Sequence, residues 1–308
     1  MDSPIEPYVI VFDRGDDAFK RAFPDTFYCA QSLPLDRWFQ IRAFAVEQEL
    51  SAIVFVSSPV GMAFASTMGV APRHIWWSHK WHGLELPHLD GYIDATMGNV
   101  GPPWIDTFSA YPELYDAAAT PKAVIERAAF KYRTVFGTMC REEKITAEYC
   151  AVIRSVLDAN PDSCFVYTGR KPVAGIDCIP RTRFIGWIDP AVWAQVIDVY
   201  LDTFPFGSGH TAWQAIAAGK PVVSVDPDQG REQGFINDLM KAAGQPYIAA
   251  ADARQYVEFA TGFADGRLAD WIGHYRRFYR DVLRDEKRMA QSVSSAILSV
   301  ISSPPAAG

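Results

Sequence analysis

Gly207-Ser208-Gly209-His210-Thr211 joins a strand-like run, Val199-Tyr200-Leu201-Asp202, to a helix-like run from Trp213 to Ala218. Small residues that open a helix leave backbone N–H groups unspent and turn the positive end of the helix dipole outward, a chemistry suited to anions. Glycine lets an anion approach the backbone closely, and His210 and Thr211 add side-chain donors. An ordinary strand-to-helix turn has the same composition, so the turn alone leaves both readings open.

Two other segments end strands of the same region. Gly137-Thr138-Met139-Cys140-Arg141-Glu142-Glu143-Lys144 follows one strand and precedes a helix, which lets Arg141 and Lys144 reach a crevice shared with the glycine turn. Phe184-Ile185-Gly186-Trp187-Ile188 ends another and supplies apolar walls for a flat base. One anion-ready loop, one cationic loop and one apolar loop at the carboxyl ends of strands describe a nucleotide diphosphate site.

A histidine-rich stretch, Trp76-Trp77-Ser78-His79-Lys80-Trp81-His82-Gly83, follows a strand nearer the amino terminus, and four of the six histidines lie between residues 74 and 88. The His79-x-x-His82 spacing suggests a metal, but no carboxylate or cysteine completes a ligand set, and no metal site is expected. Packing of the lobe is one role for these histidines. Binding of a sugar or acceptor, or general-base work near neutral pH, is the other. Asp90 and Asp94 read as loop and strand-end caps.

The elements that must position these groups alternate from end to end, as in parallel sheets covered by helices. Tyr8–Phe12, Ile53–Val56, His74–Trp77 and Asp90–Asp94 are predicted strands. Residues 35–49 are a predicted helix with Leu35, Phe39, Ala43 and Val46 on its stripe. Residues 98–125 read as an irregular connection. Strand Thr134–Gly137 then leads to a helix capped by Thr146, with Tyr149, Val152, Ile153, Val156 and Leu157 buried and Asn160-Pro161 at its end. Strands Phe165–Thr168 and Phe184–Gly186 follow. A short helix capped by Asp189 with Pro190 at its first position comes next. Strand Val199–Asp202, helix 211–218 stopped by Gly219, strand Val222–Val225 and helix 232–243 complete this part. The tail from Leu268 to Ile301 reads as an amphipathic helix, with Met289, Val293, Ile297 and Val300 at helical spacing, returning to the first domain.

At 308 residues, with 49% hydrophobic and 21% charged residues, the chain has the length and composition of two α/β domains. A net charge of −7 disfavours nucleic acid and anionic membranes as partners, so a phosphate must be met by local groups. No membrane span and no signal peptide are evident. Five cysteines without a CxxC pair point to free thiols in a reducing compartment, the cytoplasm.

The order of motifs resembles the nucleotide-sugar domain of GT-B glycosyltransferases, in particular the O-linked N-acetylglucosamine transferase family and related bacterial cytoplasmic N-glycosyltransferases. The segments that carry it are Phe136-Gly137 through Lys144-Ile145, Phe184-Ile185-Gly186, Leu201-Asp202-Thr203-Phe204-Pro205 through Thr211, and Ala218-Gly219-Lys220-Pro221-Val222-Val223. Ala71–Trp77 and Leu86–Asp90 resemble the end of that family's first catalytic lobe, so the resemblance spans about residues 60–245.

The resemblance implies two Rossmann-like doubly wound domains facing a cleft. Residues 1–125 form a short acceptor-side lobe, 126–265 the nucleotide-sugar lobe, and 266–308 a helical segment that packs back. It implies transfer of a sugar from a UDP-sugar to a peptide or protein, inverting and independent of a metal or other cofactor. Lys144 would offset charge on the leaving UDP. Ser208, Gly209, His210 and Thr211 would bind the phosphates, and Trp187, Ile188 and Arg141 would surround the uracil. Gln214 stands where the family has an acidic residue on the ribose. His79 and His82 are the candidates for acceptor-side catalysis. A UDP-sugar 2-epimerase of the same architecture and an inert nucleotide-sugar-binding or partner subunit are the alternatives, and assembly with a partner or a second copy is open.

Overall fold

Short β-branched and aromatic runs form parallel strands in the computed structural model, which describes residues 5–11, 26–29, 34–56, 59–78, 85–86, 88–95, 103–111, 114–226 and 235–304. Two units result, one of Met1–Ser109 with Lys287–Gly308 and one of Ala110–Glu286.

In the first unit, β1 (Ile10–Val11) pairs with β2 (Phe27–Tyr28). A separate parallel sheet runs β3 (Ile53–Phe55), β4 (His74–Ser78), β5 (Gly91–Asp94), β6 (Trp104–Asp106) in spatial as in chain order. Successive side chains of a strand face opposite sides, and both sides here are apolar. Trp76 joins Tyr92, Trp104, Trp38, Ile41 and Met62 in one core. Ile75 and Ile93 meet Ala296 and Val300 of the terminal helix Glu286–Ser302 in the other.

The helix Pro34–Glu47 buries Trp38, Ile41 and Ala45, not the predicted stripe. Leu35, Phe39 and Val46 are 48%, 53% and 71% exposed, and Ala43 is exposed too. Apolar residues occupy both faces of this helix, and the face carrying the indole of Trp38 is the one that packs into the core.

His74 is buried with its backbone N–H on Asp90 at 2.8 Å, and Arg73 binds the other carboxylate oxygen at 2.8 Å. Desolvation lowers the His74 pKa, so this histidine is part of the packing and not of a reactive surface.

The second unit is built on one parallel sheet ordered β11 (Val222–Val223), β10 (Val199–Leu201), β7 (Thr134–Thr138), β8 (Ser163–Tyr167), β9 (Thr182–Phe184). The chain starts at β7, winds outward to β9, then crosses back to β10 on the opposite side. That reversal leaves a crevice beyond the carboxyl ends of β7 and β10, the place where open α/β sheets take ligands.

Helix Ala147–Ala159 starts at Thr146, whose hydroxyl accepts the Tyr149 N–H, and Tyr149, Val152, Ile153, Val156 and Leu157 are buried as the periodicity requires. Asp189 caps Pro190–Val196 by accepting from the Ala191 N–H. Three buried tyrosines then bolt helices to strands: Tyr149 donates to the Leu201 carbonyl, Tyr256 to that of Asp202 and Tyr275 to that of Val222, all at 2.8–2.9 Å.

The division between units falls at residues 109–110 and 286–287, not at 125 and 265. Residues 104–106 are a sheet strand, and helix Thr120–Ala128 packs on Pro190–Val196, with Thr120 Oγ1 donating to Gln195 at 2.8 Å. Helices Ala253–Ala264 and Ala269–Phe278 stay with the second sheet through Tyr256 and Tyr275. A π-helical turn at Tyr279–Leu283 breaks the expected single tail helix, so only Glu286–Ser302 packs on the first sheet. None of the five cysteines forms a disulfide, and no helix among the described residues is long and apolar enough to cross a membrane.

Arg181 closes the end of helix Ala147–Ala159. Its two amino groups donate to the carbonyls of Leu157 at 2.6 Å, Asn160 at 2.8 Å and Ser163 at 3.0 Å. A cation there also meets the negative end of the helix dipole. Arg181→Ala is expected to lower stability by about 2 kcal/mol in urea unfolding, because it strands several carbonyls at once. An unchanged midpoint would show that water replaces the guanidinium at little cost.

Candidate functional site

The loop after β10 is a turn wound around one carboxylate. Asp202 is buried, and its Oδ1 accepts the N–H of Thr203 at 3.0 Å and of Ser208 at 2.6 Å. The Thr203 hydroxyl donates to the Phe206 carbonyl at 2.7 Å and tightens the same turn.

Gly209 then begins helix His210–Ala217 with φ 55° and ψ −111°, a conformation that side chains with a Cβ rarely take, and open space lies where its Cβ would be. Its carbonyl accepts from Ala212 and Trp213. No acceptor among the described residues takes the N–H of Gly209, His210 or Thr211, and no side chain caps this helix. Three unspent donors and the dipole's positive end therefore converge on one open point. The helix ends at Gly219, whose φ of 74° lets Lys220 N–H reach back to the Ala215 carbonyl at 2.9 Å.

The loop after β7 delivers the cation. Glu142–Lys144 form a single 3₁₀ turn, and the Lys144 ammonium donates to the carbonyl of Gly207, inside the glycine turn. Burial lowers the Lys144 pKa, and the Asp202 charge offsets part of that effect. Asp202 itself is pushed up to about 6 by burial, against the N–H of Ser208 and the charge of Lys144. The Cys140 thiol, pushed up to about 12 by burial, is a neutral wall and not a nucleophile.

The two loops are also tied to each other. The Thr211 hydroxyl donates to the Met139 carbonyl at 2.6 Å, and Tyr200 accepts the Met139 N–H at 3.2 Å while its oxygen lies 3.0 Å from Thr211 Oγ1. Thr211's hydroxyl proton is thus spent on Met139, so Thr211 offers an anion its backbone N–H and not the side-chain donor expected from sequence. His210 stays exposed, with its ring edge-on to Tyr111 at 5.8 Å between centroids, and desolvation lowers its pKa.

These loops border a pocket of about 220 Å³, lined by Lys144, Arg141, Trp187, Ile188, Ser208 and Thr211 among others. Trp187 stands 75% exposed, so an apolar plane is presented to whatever enters. Gln214 lies one turn into the helix, and its Oε1 is buried with no hydrogen-bond partner among the described residues. An orphaned acceptor of this kind is costly unless a ligand supplies a donor. His79 and His82 lie outside the described residues.

Sequence reasoning missed the other pocket-lining residues, Met139, Cys140, Thr168 and Pro190. It also missed Asp202 and Tyr200, which act behind the lining. Cys140 and Thr168 exchange two hydrogen bonds, at 2.9 and 2.8 Å, that set the pocket floor. Such contacts join residues far apart in the chain, and only Asp202 left a signal, as a carboxylate closing an apolar strand.

No protein-family model matches the chain, and no curated protein matches it in sequence. Solved structures do match its fold. An O-GlcNAc transferase mutant from Thermobaculum terrenum is similar over 96% of this chain and 61% of that one, with a TM-score of 0.70 and 17% identity. The chain thus spans about three fifths of that protein's length. The Anabaena HepE protein, solved with UDP and glucose, is similar over 96% of this chain and 92% of that one, with a TM-score of 0.63 and 14% identity. WaaG, a glycosyltransferase involved in lipopolysaccharide biosynthesis, covers 88% of this chain and 96% of its own, at a TM-score of 0.54 and 12% identity. Two parallel-sheet α/β units and these likenesses give the chain the GT-B fold, the architecture its motif order resembles.

Proposed function

We propose that this chain is a glycosyltransferase that moves a sugar from a UDP-sugar to a peptide or protein acceptor, with inversion and without an obligatory metal. The observation that carries the proposal is that the Lys144 ammonium reaches into the glycine turn, on the Gly207 carbonyl, next to the unspent amides of residues 209–211 and where the sheet order reverses.

In this reading the diphosphate takes those amides, and Lys144 exchanges the Gly207 carbonyl for a phosphate oxygen. Negative charge grows on the leaving UDP during transfer, so donors fixed in advance at that position stabilise the transition state more than the ground state. The exposed face of Trp187 with Ile188 receives the uracil, and Arg141 lies beside it. Gln214, one turn into the helix, is outside the residues that line the pocket, and its buried Oε1 meets a ribose hydroxyl only once the side chain turns outward. His79 or His82 takes the proton of the acceptor group, a task suited to an imidazole near neutral pH. The motif order that resembles the O-linked N-acetylglucosamine transferase family supports the peptide or protein acceptor, and a structure of the same fold solved with UDP and glucose is in keeping with a uridine nucleotide as the donor's leaving group.

Thermal unfolding with UDP, GDP, dTDP and their sugars tests the donor class. A ligand held only by the native state adds ~2.7 kcal/mol of stability at a hundred times its dissociation constant, so uridine nucleotides should stand apart. Equal response to every nucleotide, or to none, would contradict the uridine site. Formation of an epimerised sugar in the absence of any acceptor would point to an isomerase of the same fold.

A further inference from the structure

We infer that Asp202 is a counter-ion built into the donor site: it holds the glycine turn and Lys144 in place, and it opposes a bound diphosphate, which favours release of UDP. The inference rests on the donor-site reading above and adds a role for a residue that touches no substrate.

Three observations carry it. Asp202 is only 3% exposed, yet it binds the turn at both ends through the N–H groups of Thr203 and Ser208. Tyr256 fixes the Asp202 backbone carbonyl at 2.8 Å, while the carboxylate is held by the Thr203 and Ser208 N–H groups. The titratable groups facing it are Lys144 and Cys140 from the loop after β7, Tyr149 and Tyr256 from two helices, and Tyr200 from β10. Among the described residues Lys144 is the one cation in that set.

A buried carboxylate served by one lysine is an expensive anchor for a turn, since a neutral amide could accept the same two N–H groups. What the charge adds is electrostatic. With the site empty it draws the ammonium toward Gly207. With a diphosphate present, two anions share one cation, and the carboxylate raises the free energy of the complex. Asp202 is therefore a positioning residue whose charge and geometry act in opposite directions on nucleotide affinity.

Calorimetric titration of UDP at pH 8 into the parent, Asp202→Asn and Asp202→Ala proteins separates those two contributions, with a thermal melt of each to establish folding. Asparagine keeps the accepting oxygen and removes the charge, so Asp202→Asn should bind UDP about three- to tenfold tighter than the parent. Alanine releases the turn, and Asp202→Ala should bind about tenfold more weakly. A folded Asp202→Asn protein that binds UDP equally or more weakly overturns the inference, and this arm decides alone if the alanine variant does not fold. Absence of UDP binding by the parent as well as both variants overturns the donor-site reading and this inference together.

Discussion

Replacing Lys144 by alanine is expected to slow turnover of a UDP-sugar by about 10²–10³-fold, measured as UDP release, while the protein stays folded. The magnitude follows from what the ammonium faces. It is half-buried between the loop after β7 and the glycine turn, where charge–charge interactions are less screened than at the surface. Among the described residues no second cation is built into that junction, since Arg141 is exposed at the pocket rim. Loss of Lys144 also removes a positive charge that, behind the hydrogen bonds from Ser208, lowers the Asp202 pKa, and so raises that pKa further. A Lys144→Ala protein that releases UDP at the parent rate would remove the lysine from the chemistry.

Gly209→Ala should be nearly as damaging, by a different route. At φ 55° and ψ −111° an added Cβ costs roughly 1–3 kcal/mol in backbone strain. The alternative is for the turn to relax and redirect the amides of residues 209–211. The new methyl would occupy the open space beside those amides, where the diphosphate is proposed to lie. UDP affinity should fall about tenfold or more, with a lower melting temperature, when titration and melts are compared with the parent. Unchanged affinity would place the anion elsewhere.

The second unit was more legible in sequence than the first because its patterns are unambiguous. Tyr149, Val152, Ile153, Val156 and Leu157 repeat at helical spacing behind a Thr cap, and all five are buried. Asp189-Pro190 and Gly219 mark helix ends by chemistry that few other residues can supply. The helix at Pro34–Glu47 carries apolar residues on both faces, so periodicity could not say which face the sheet of the first unit would take.

The unit boundary was misplaced for a related reason. Trp104–Asp106 is a three-residue strand directly after prolines, too short to register as a pattern, and the π-helical turn at Tyr279–Leu283 that interrupts the tail has no sequence signature.

The pocket residues Arg141, Lys144, Trp187, Ile188, Ser208 and Thr211 could be assembled from sequence because all sit just past strand ends, where a doubly wound sheet gathers its loops. What escaped was the wiring behind them. That the Thr211 hydroxyl is consumed by Met139, and that Asp202 folds the turn around itself, are three-dimensional facts between residues 6 to 72 positions apart. Spacing alone does not encode them.

The most direct measurement is a crystal structure of this protein with UDP. The account predicts the diphosphate on the amides of Gly209, His210 and Thr211, with the Lys144 ammonium moved from the Gly207 carbonyl onto a phosphate oxygen. A uridine nucleotide bound elsewhere on the second unit, with that turn and Lys144 unchanged, would contradict it.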